Sequence, residues 1–269
     1  LLPEMAWQQK IVPGIKVDKG TEALPGAGGD LITKGLDGLA ERLVIYKEKG
    51  ARFAKWREVY PITETNPTPL GLSANAEMLA RYAAVCQDQG IVPIVEPEIL
   101  MDGHHDIDRC SEVSEAVLHE VFNALQRHQV QLETMILKPS MVLPGKENRR
   151  ASSEEVAAAT IRVFKRTVPA AVPSINFLSG GQTPEEATEN LNAINKMREN
   201  APWQLGISYG RALQQPALNA WEGKDENRDA MQHALLKRAQ LNSHARNGQY
   251  TTDMEYCKKI IHLMDVKRL

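Results

Sequence analysis

One unit recurs along this chain: a short apolar run ending in charge, a loop, then an amphipathic helical pattern. The runs are VPGIKVD (12–18), ARFAKWR (51–57), IVPIVEPE (91–98), LETMILK (132–138), PSINFLS (173–179) and WQLGISYG (203–210), and their starts step by 39, 40, 41, 41 and 30 residues. Between them, Leu36, Leu39, Ala40 and Leu43 form one apolar stripe before Gly50, and Leu79, Ala80, Ala83 and Ala84 another before Gly90. Val113, Val117, Val121 and Leu125 make a third. A glycine just past such a stripe fits a helix C-cap. Ser152 with Glu155 has capping-box spacing, and Thr183-Pro184-Glu185-Glu186 puts proline at the first helical position.

Strands alternating with helices at this period are parallel and joined by right-handed crossovers. An open doubly wound sheet or a closed barrel satisfies that pattern. The open sheet gathers its site at one switch point, and GxGxxG is absent. Here every run carries polar chemistry to its C-terminal end, as barrel enzymes do. The predicted fold is therefore α/β, a (β/α)8 TIM barrel forming a single domain over residues 1–269, with residues 251–269 an atypical C-terminal segment. About six of the eight βα units are countable and the first residue is Leu1 rather than Met, so about two units are expected to be missing on the N-terminal side.

Composition excludes some classes of function. The net charge of -2 and pI near 6.4 argue against nucleic acid or an anionic membrane as partner. A small phosphorylated substrate needs only a local cationic cluster and stays open. No apolar run approaches the roughly 18 residues of a membrane span, and LLPEMAWQQK is no signal peptide. Cys86, Cys110 and Cys257 have no paired spacing, which suits a reducing compartment and offers neither a disulfide framework nor a zinc motif. A cytoplasmic location is expected.

Strand parity sharpens the chemistry. Lys16 and Asp18 share one side of GIKVD; Phe53, Lys55 and Arg57 share one side of RFAKWR; Ile94, Glu96 and Glu98 share one side of IVEPE. Lys138 ends TMILK on the side of Ile136. A single charged strand end is ordinarily a solvated boundary. Four neighbouring ones of alternating sign predict mutual pairing at a barrel mouth, because buried charges must be paired. Lys138, between Met135-Ile136-Leu137 and Pro139, is placed at the edge of a packed core, where desolvation and Lys55 favour the neutral amine that attacks a ketone. A snorkelling lysine is the plainer account of such a residue in isolation. Glu96 and Glu98, one strand away, are candidates for the proton transfers that imine formation needs.

The second signal is FLSGGQTPEE (177–186), a strand that runs into glycines and then a helix N-terminus. Glycines let backbone N–H groups approach an anion, and the helix dipole adds to the attraction, so Ser179 and Gly180 read as a phosphate cradle. Ser208-Tyr209-Gly210-Arg211 after the next strand places a second glycine and a guanidinium nearby. Lys16 and Arg57 are candidates for a second phosphate, implying a substrate phosphorylated at both ends. Other features read blandly. His104 and His105 are chain neighbours that cannot easily converge on one ion. Gly26, Gly28 and Gly29 in PGAGGD read as a flexible loop, and Lys224 to Arg246 as an outer helix. EYCKKIIHLMDVKRL reads as a packed terminal helix.

At GIKVDKG (14–20), GLDGLAER (35–42), FAKWR (53–57), IVPIVEPEIL (91–100), LKPSMV (137–142), FLSGGQ (177–182), NLNAINK (190–196) and SYGRALQ (208–214) the sequence closely resembles class I fructose-1,6-bisphosphate aldolase. The blocks stand in the family's order from about residue 13 to Tyr250. The resemblance implies reversible cleavage of fructose 1,6-bisphosphate to dihydroxyacetone phosphate and glyceraldehyde 3-phosphate in glycolysis and gluconeogenesis. It gives Lys138 the Schiff base, Glu96 carbinolamine dehydration with Glu98 beside it, and Lys55 the polarisation of substrate oxygens. Ser179, Gly180, Gly210 and Arg211, with Ser208 alongside, match the cradle nearest the ketone. Lys16 and Arg57 match the distal phosphate site, and Asp18 an acidic residue of the same mouth. The resemblance further implies no metal or other cofactor, a homotetramer, and scaffold-type contacts with actin or proton-pump subunits. The family's active-site Asp for C–C cleavage is expected in the missing N-terminal part. The family's tail ends in a functional Tyr, whereas this chain closes at Leu269 with Tyr256 a candidate replacement. The alternatives are a non-catalytic, truncated aldolase kept for binding, or another Schiff-base barrel lyase.

Overall fold

The structure is a computed structural model and describes residues 2–256. In chain order its elements are α1 (Leu2–Gln8), β1 (Gly14–Lys16), β2 (Thr21–Ala23), β3 (Leu31–Thr33), α2 (Leu39–Glu48), β4 (Phe53–Tyr60), α3 (Pro69–Asp88), β5 (Val92–Ile99), α4 (Ile107–Arg127), β6 (Ile136–Leu137), α5 (Ser153–Thr167), β7 (Ser174–Phe177), α6 (Pro184–Met197), β8 (Gln204–Ile207), α7 (Arg211–Trp221) and α8 (Arg228–Arg246). Six strands form one parallel sheet in the order β1-β4-β5-β6-β7-β8. Each pairs with the next strand that the repeat supplies, as crossovers of this length require. Among the described residues no pairing joins β8 back to β1.

Local sequence explains why the helices start and stop where they do. Ser152 and Glu155 cap α5, and Thr183 and Glu186 cap α6, each in a reciprocal capping box. Behind α2, Gly50 sits at φ 105° while its N–H bonds Lys47 O and that of Ala51 bonds Tyr46 O, the paired bonds that close a helix with a left-handed residue. Gly90 ends α3 in the same way, bonding Gln87 O while Ile91 bonds Cys86 O. The helical stripes point inward: Leu39, Leu43, Leu79, Ala80, Ala83, Val113, Val117, Val121 and Leu125 are all buried. They cover the sheet face formed by Ala54, Trp56, Val95, Leu137, Ile175, Phe177 and Leu205, every one buried. The other face carries Lys55, Arg57 and Asn176, which are only partly covered. The core thus lies between sheet and helices, and the ionisable set faces away from it.

Three readings change in detail. LETMILK is not a strand throughout. Leu132–Thr134 form a 3-10 turn because Gln87 grips that approach, donating to Gln131 O and Thr134 Oγ1 and accepting from Gln131 N. PGAGGD is not a free loop but the tip of an antiparallel hairpin between β2 and β3. Buried Asp30 anchors it by accepting from Asn66 Nδ2 at 2.9 Å, Thr68 N at 2.9 Å and Thr68 Oγ1 at 2.6 Å. The segment after Lys224 begins with a 3-10 turn, Asp225–Asn227, and its helix buries Arg238. The terminal EYCKKIIHLMDVKRL lies outside the described residues from Cys257 onward, and Tyr256 is exposed.

Candidate active site

Parallel strands in register bring their C-terminal ends side by side. Lys16, Lys55 and Ile94 are successive partners across β1, β4 and β5, and Ile94 pairs in turn with Ile136 of β6. Two residues further along, Asp18, Arg57 and Glu96 stand at the same level, with Arg57 opposite Glu96. Lys138 continues β6 by donating its N–H to Val95 O at 2.8 Å. The side chains then close an alternating chain of charge. Lys16 Nζ lies 2.6 Å from Asp18 Oδ1, and Lys55 Nζ lies 3.3 Å from Asp18 Oδ2 and 3.0 Å from Glu96 Oε2. Lys138 Nζ lies 3.1 Å from Glu96 Oε1, and Arg57 pairs with Glu98.

Burial grades this chain. The Glu96 side chain is 5% exposed and Lys138 13%, whereas Lys16 is 56% exposed, so the set runs from core to solvent. Two cations share Glu96, which offsets the desolvation that a lone buried carboxylate would suffer. Its buried Oε2 receives no aligned hydrogen bond despite the nearby ammonium of Lys55, leaving an acceptor turned into the site. Burial pushes Asp18 upward, but the hydrogen bond from Lys16 and the charges of Lys55 and Lys16 outweigh it and hold the carboxyl below its usual range. Burial likewise opposes the charge on Arg57, and Glu98 overcomes it, holding the guanidinium above its ordinary value. This arrangement presents an amine beside a carboxylate that can take and return protons.

The cradle sits next door. Leu178 N–H donates to Pro139 O at 3.1 Å, so Ser179 begins its loop one strand from Lys138. Gly180 and Gly181 adopt φ of 56° and 93°, conformations that side-chain-bearing residues rarely take. Buried Gln182 fixes the turn, bonding Ser179 O from both its backbone N and its Nε2, while Asn190 holds its Oε1. Just past β8, Ser208 N–H donates to Phe177 O at 2.8 Å, and Gly210 and Arg211 stand exposed at the opening of α7. Tyr209 turns inward to donate to Ala187 O at 2.7 Å. A cleft of about 720 Å³ adjoins this region, lined by Lys146, Arg150 and Gly181 among others but not by Lys138.

The family model for class-I fructose-bisphosphate aldolase matches residues 1–265. The chain belongs to the class-I fructose-bisphosphate aldolase family. It is 56% identical over 240 residues to the cytoplasmic isozyme of Spinacia oleracea, covering 89% of this chain and 67% of that one. It is 52% identical over 260 residues to cytosolic fructose-bisphosphate aldolase 6 of Arabidopsis thaliana, covering 96% and 73%. The solved fructose-bisphosphate aldolase of Plasmodium falciparum, in complex with TRAP and a small molecule inhibitor, superposes with a TM-score of 0.90 at 49% identity, covering 92% of this chain and 72% of that one. That likeness makes the six-stranded sheet part of the family's TIM-barrel fold.

Lys55 and Arg57 of β4 and Glu96 of β5 stand inside their strands rather than at the ends the sequence pattern predicts, because β4 runs on to Tyr60 and β5 to Ile99. Lys16, Asp18, Lys55, Glu96 and Lys138 form one contiguous array, and Arg57 with Glu98 makes a second pair beside it. Ser179 and Gly180 follow β7, Ser208 and Gly210 follow β8, and Arg211 opens α7, on the side of Lys138 away from β4 and β5. His104 faces Glu147 at 2.7 Å, and burial holds His105 below its usual range.

Sequence reasoning passed over Glu58. Its signal was parity: it shares a face with Ala54 and Trp56, the apolar side of β4. Trp56 Nε1 donates to Glu58 Oε1 at 2.7 Å, and Thr33 N to Oε2 at 3.1 Å. Burial raises the carboxyl to about 7 despite those two bonds. The folded state therefore holds a proton that the unfolded chain has released above about pH 4.5. The associated stability is fully present below that pH and is lost as pH rises to about 7, a change on the order of 3 kcal/mol. Urea midpoints from pH 5 to 8 should fall more steeply for the native chain than for Glu58→Gln; parallel profiles would refute this.

Proposed function

We propose that Lys138 is the Schiff-base residue through which this chain binds and processes fructose 1,6-bisphosphate. The observation that carries this reading is the 3.1 Å contact between Lys138 Nζ and Glu96 Oε1, inside a water-poor array that also contains Lys55. Glu96 takes the ammonium proton, freeing the amine to add to the ketone carbon. The same carboxyl then returns a proton to the carbinolamine hydroxyl, which leaves as water and gives the iminium. Lys55, held between Asp18 and Glu96, lies where it polarises substrate oxygens. Glu96, again a carboxylate, accepts the C4 hydroxyl proton as the C3–C4 bond breaks; C4 departs as the aldehyde of glyceraldehyde 3-phosphate, and the electron pair passes into an enamine conjugated with the Lys138 nitrogen. Protonation of that enamine and hydrolysis release dihydroxyacetone phosphate and restore the amine.

The ketone-side phosphate is assigned to Ser179, Gly180, Gly210 and Arg211, and the distal phosphate to Lys16 and Arg57. Two anion sites flanking one amine favour a bisphosphate over the singly phosphorylated substrates of other Schiff-base lyases. As in the Spinacia and Arabidopsis relatives, whose names place them in the cytoplasm or cytosol, the working location is cytoplasmic. The working assembly is a homotetramer. A second reading, a non-catalytic binding protein, draws on the unpaired outer edges of β1 and β8 among the described residues and on the relative solved with TRAP.

Borohydride reduction with dihydroxyacetone phosphate, followed by peptide mass mapping, tests the first reading. A stable adduct on Lys138 and none on Lys55 is expected. An adduct elsewhere sinks the assignment. Absence of any adduct alongside retained affinity for a protein partner favours the second reading.

A further inference from the structure

Glu58 is a carboxylate at a position that packing alone would give to an apolar side chain. It is fully buried, and both of its hydrogen-bond donors, the Trp56 indole and the Thr33 amide, are neutral. A buried carboxyl without a cation destabilises a core unless its bonds do something an apolar residue cannot. Those bonds join two elements: Trp56 belongs to β4 and Thr33 closes the hairpin that follows β1. Thr33 adds a second tie, donating its hydroxyl to Arg57 O at 2.7 Å. From Thr33 the ladder runs directly to the site. Lys34 N–H bonds Gly20 O at 2.9 Å, and Lys19 N–H bonds Lys34 O at 2.8 Å. The residue before Lys19 is Asp18, whose carboxylate holds Lys16 and Lys55.

We propose that Glu58 is a positioning residue for the bisphosphate site, fastening the hairpin to β4 and so holding Asp18 and Lys16 in register with Lys55 and Arg57. This rests on the assignment of Lys16 and Arg57 to the distal phosphate given above. The clamp acts on one end of the substrate only, since Ser179 and Gly180 follow β7 and Gly210 and Arg211 follow β8, at the end of the sheet away from β1 and the hairpin. Loosening it therefore weakens a doubly phosphorylated ligand and spares a singly phosphorylated one.

The test uses the full chain and its Glu58→Gln variant, which keeps the side chain's size and one acceptor. Calorimetry would measure binding of hexitol 1,6-bisphosphate, which has both phosphates and no carbonyl, and of dihydroxyacetone phosphate. Hydrogen exchange of the peptide spanning residues 21–34 would report the hairpin. Faster hairpin exchange is expected, with a five- to tenfold weaker bisphosphate affinity and dihydroxyacetone phosphate affinity within twofold. Thr33→Val, which loses only the hydroxyl tie to Arg57 O, should show the same pattern more weakly and serves if Glu58→Gln does not fold. Faster exchange with unchanged bisphosphate binding makes Glu58 a purely structural clamp and overturns the proposal, as do equal losses for both ligands or no change at all. If the native chain binds neither ligand, the site assignment itself fails and the proposal falls with it, a result distinguishable because exchange still reports the hairpin.

Discussion

Lys138→Met should abolish the borohydride adduct and slow cleavage of fructose 1,6-bisphosphate by about 10⁵-fold, the scale on which loss of a covalent nucleophile usually acts. Methionine keeps the length of the side chain and much of its apolar stem but cannot form an imine. The fold should survive, because Glu96 keeps Lys55 at 3.0 Å as its remaining cation. The cleavage rate, the adduct and the urea midpoint belong in one experiment. Loss of adduct and rate with an unchanged midpoint separates chemistry from stability. Retention of either adduct or rate would show that another amine carries the reaction, with Lys55 the first to check.

Arg238→Met should lower stability by about 3–5 kcal/mol, the range for removing one partner of a buried ion pair. Arg238 is 3% exposed on α8, and its Nη1 reaches both oxygens of Glu255, at 2.7 and 2.8 Å. Its Nη2 donates to Pro184 O at 2.8 Å and to the hydroxyl of Thr188, both on α6. One guanidinium thus joins α8, the first turn of α6 behind the glycine cradle, and the last 3-10 turn, Thr252–Glu255. Losing it leaves the largely covered Glu255 with Tyr250 and Lys237 as its partners among the described residues. Urea denaturation of Arg238→Met and of Arg238→Met with Glu255→Gln measures the effect. The double variant should recover part of the loss, because its remaining side chain is neutral. A single-variant change below about 1 kcal/mol would show that the network is no stronger than a surface pair.

Neither Glu58 nor Arg238 stood out in the sequence, and the reason is the same for both. An arginine in a charged helix and a glutamate late in a strand are locally ordinary. Their weight comes from partners 17 to 54 residues away in the chain, at Glu255, Thr188 and Pro184 for one and Thr33 for the other. The β2–β3 hairpin was hidden likewise. Its glycine-rich tip looked mobile, and only Asp30, meeting Asn66 and Thr68 across the structure, pins it.

What the sequence determined by itself was the recurrence of strand and helix, the caps at Ser152 and Thr183, the parity that put Lys55, Glu96 and Lys138 on one face of the sheet, and the family to which those blocks belong. The caps and the parity depend on neighbours two to four residues apart, whose geometry the backbone dictates. Only the tertiary structure decided which charges meet. Lys55 reaches Asp18 across 37 residues and Arg57 reaches Glu98 across 41, and those contacts exist because parallel register sets the strand ends side by side. Register is fixed by helices packing on the opposite face of the sheet, so the placement of Glu96 between two lysines is a consequence of the whole core rather than of any segment in it.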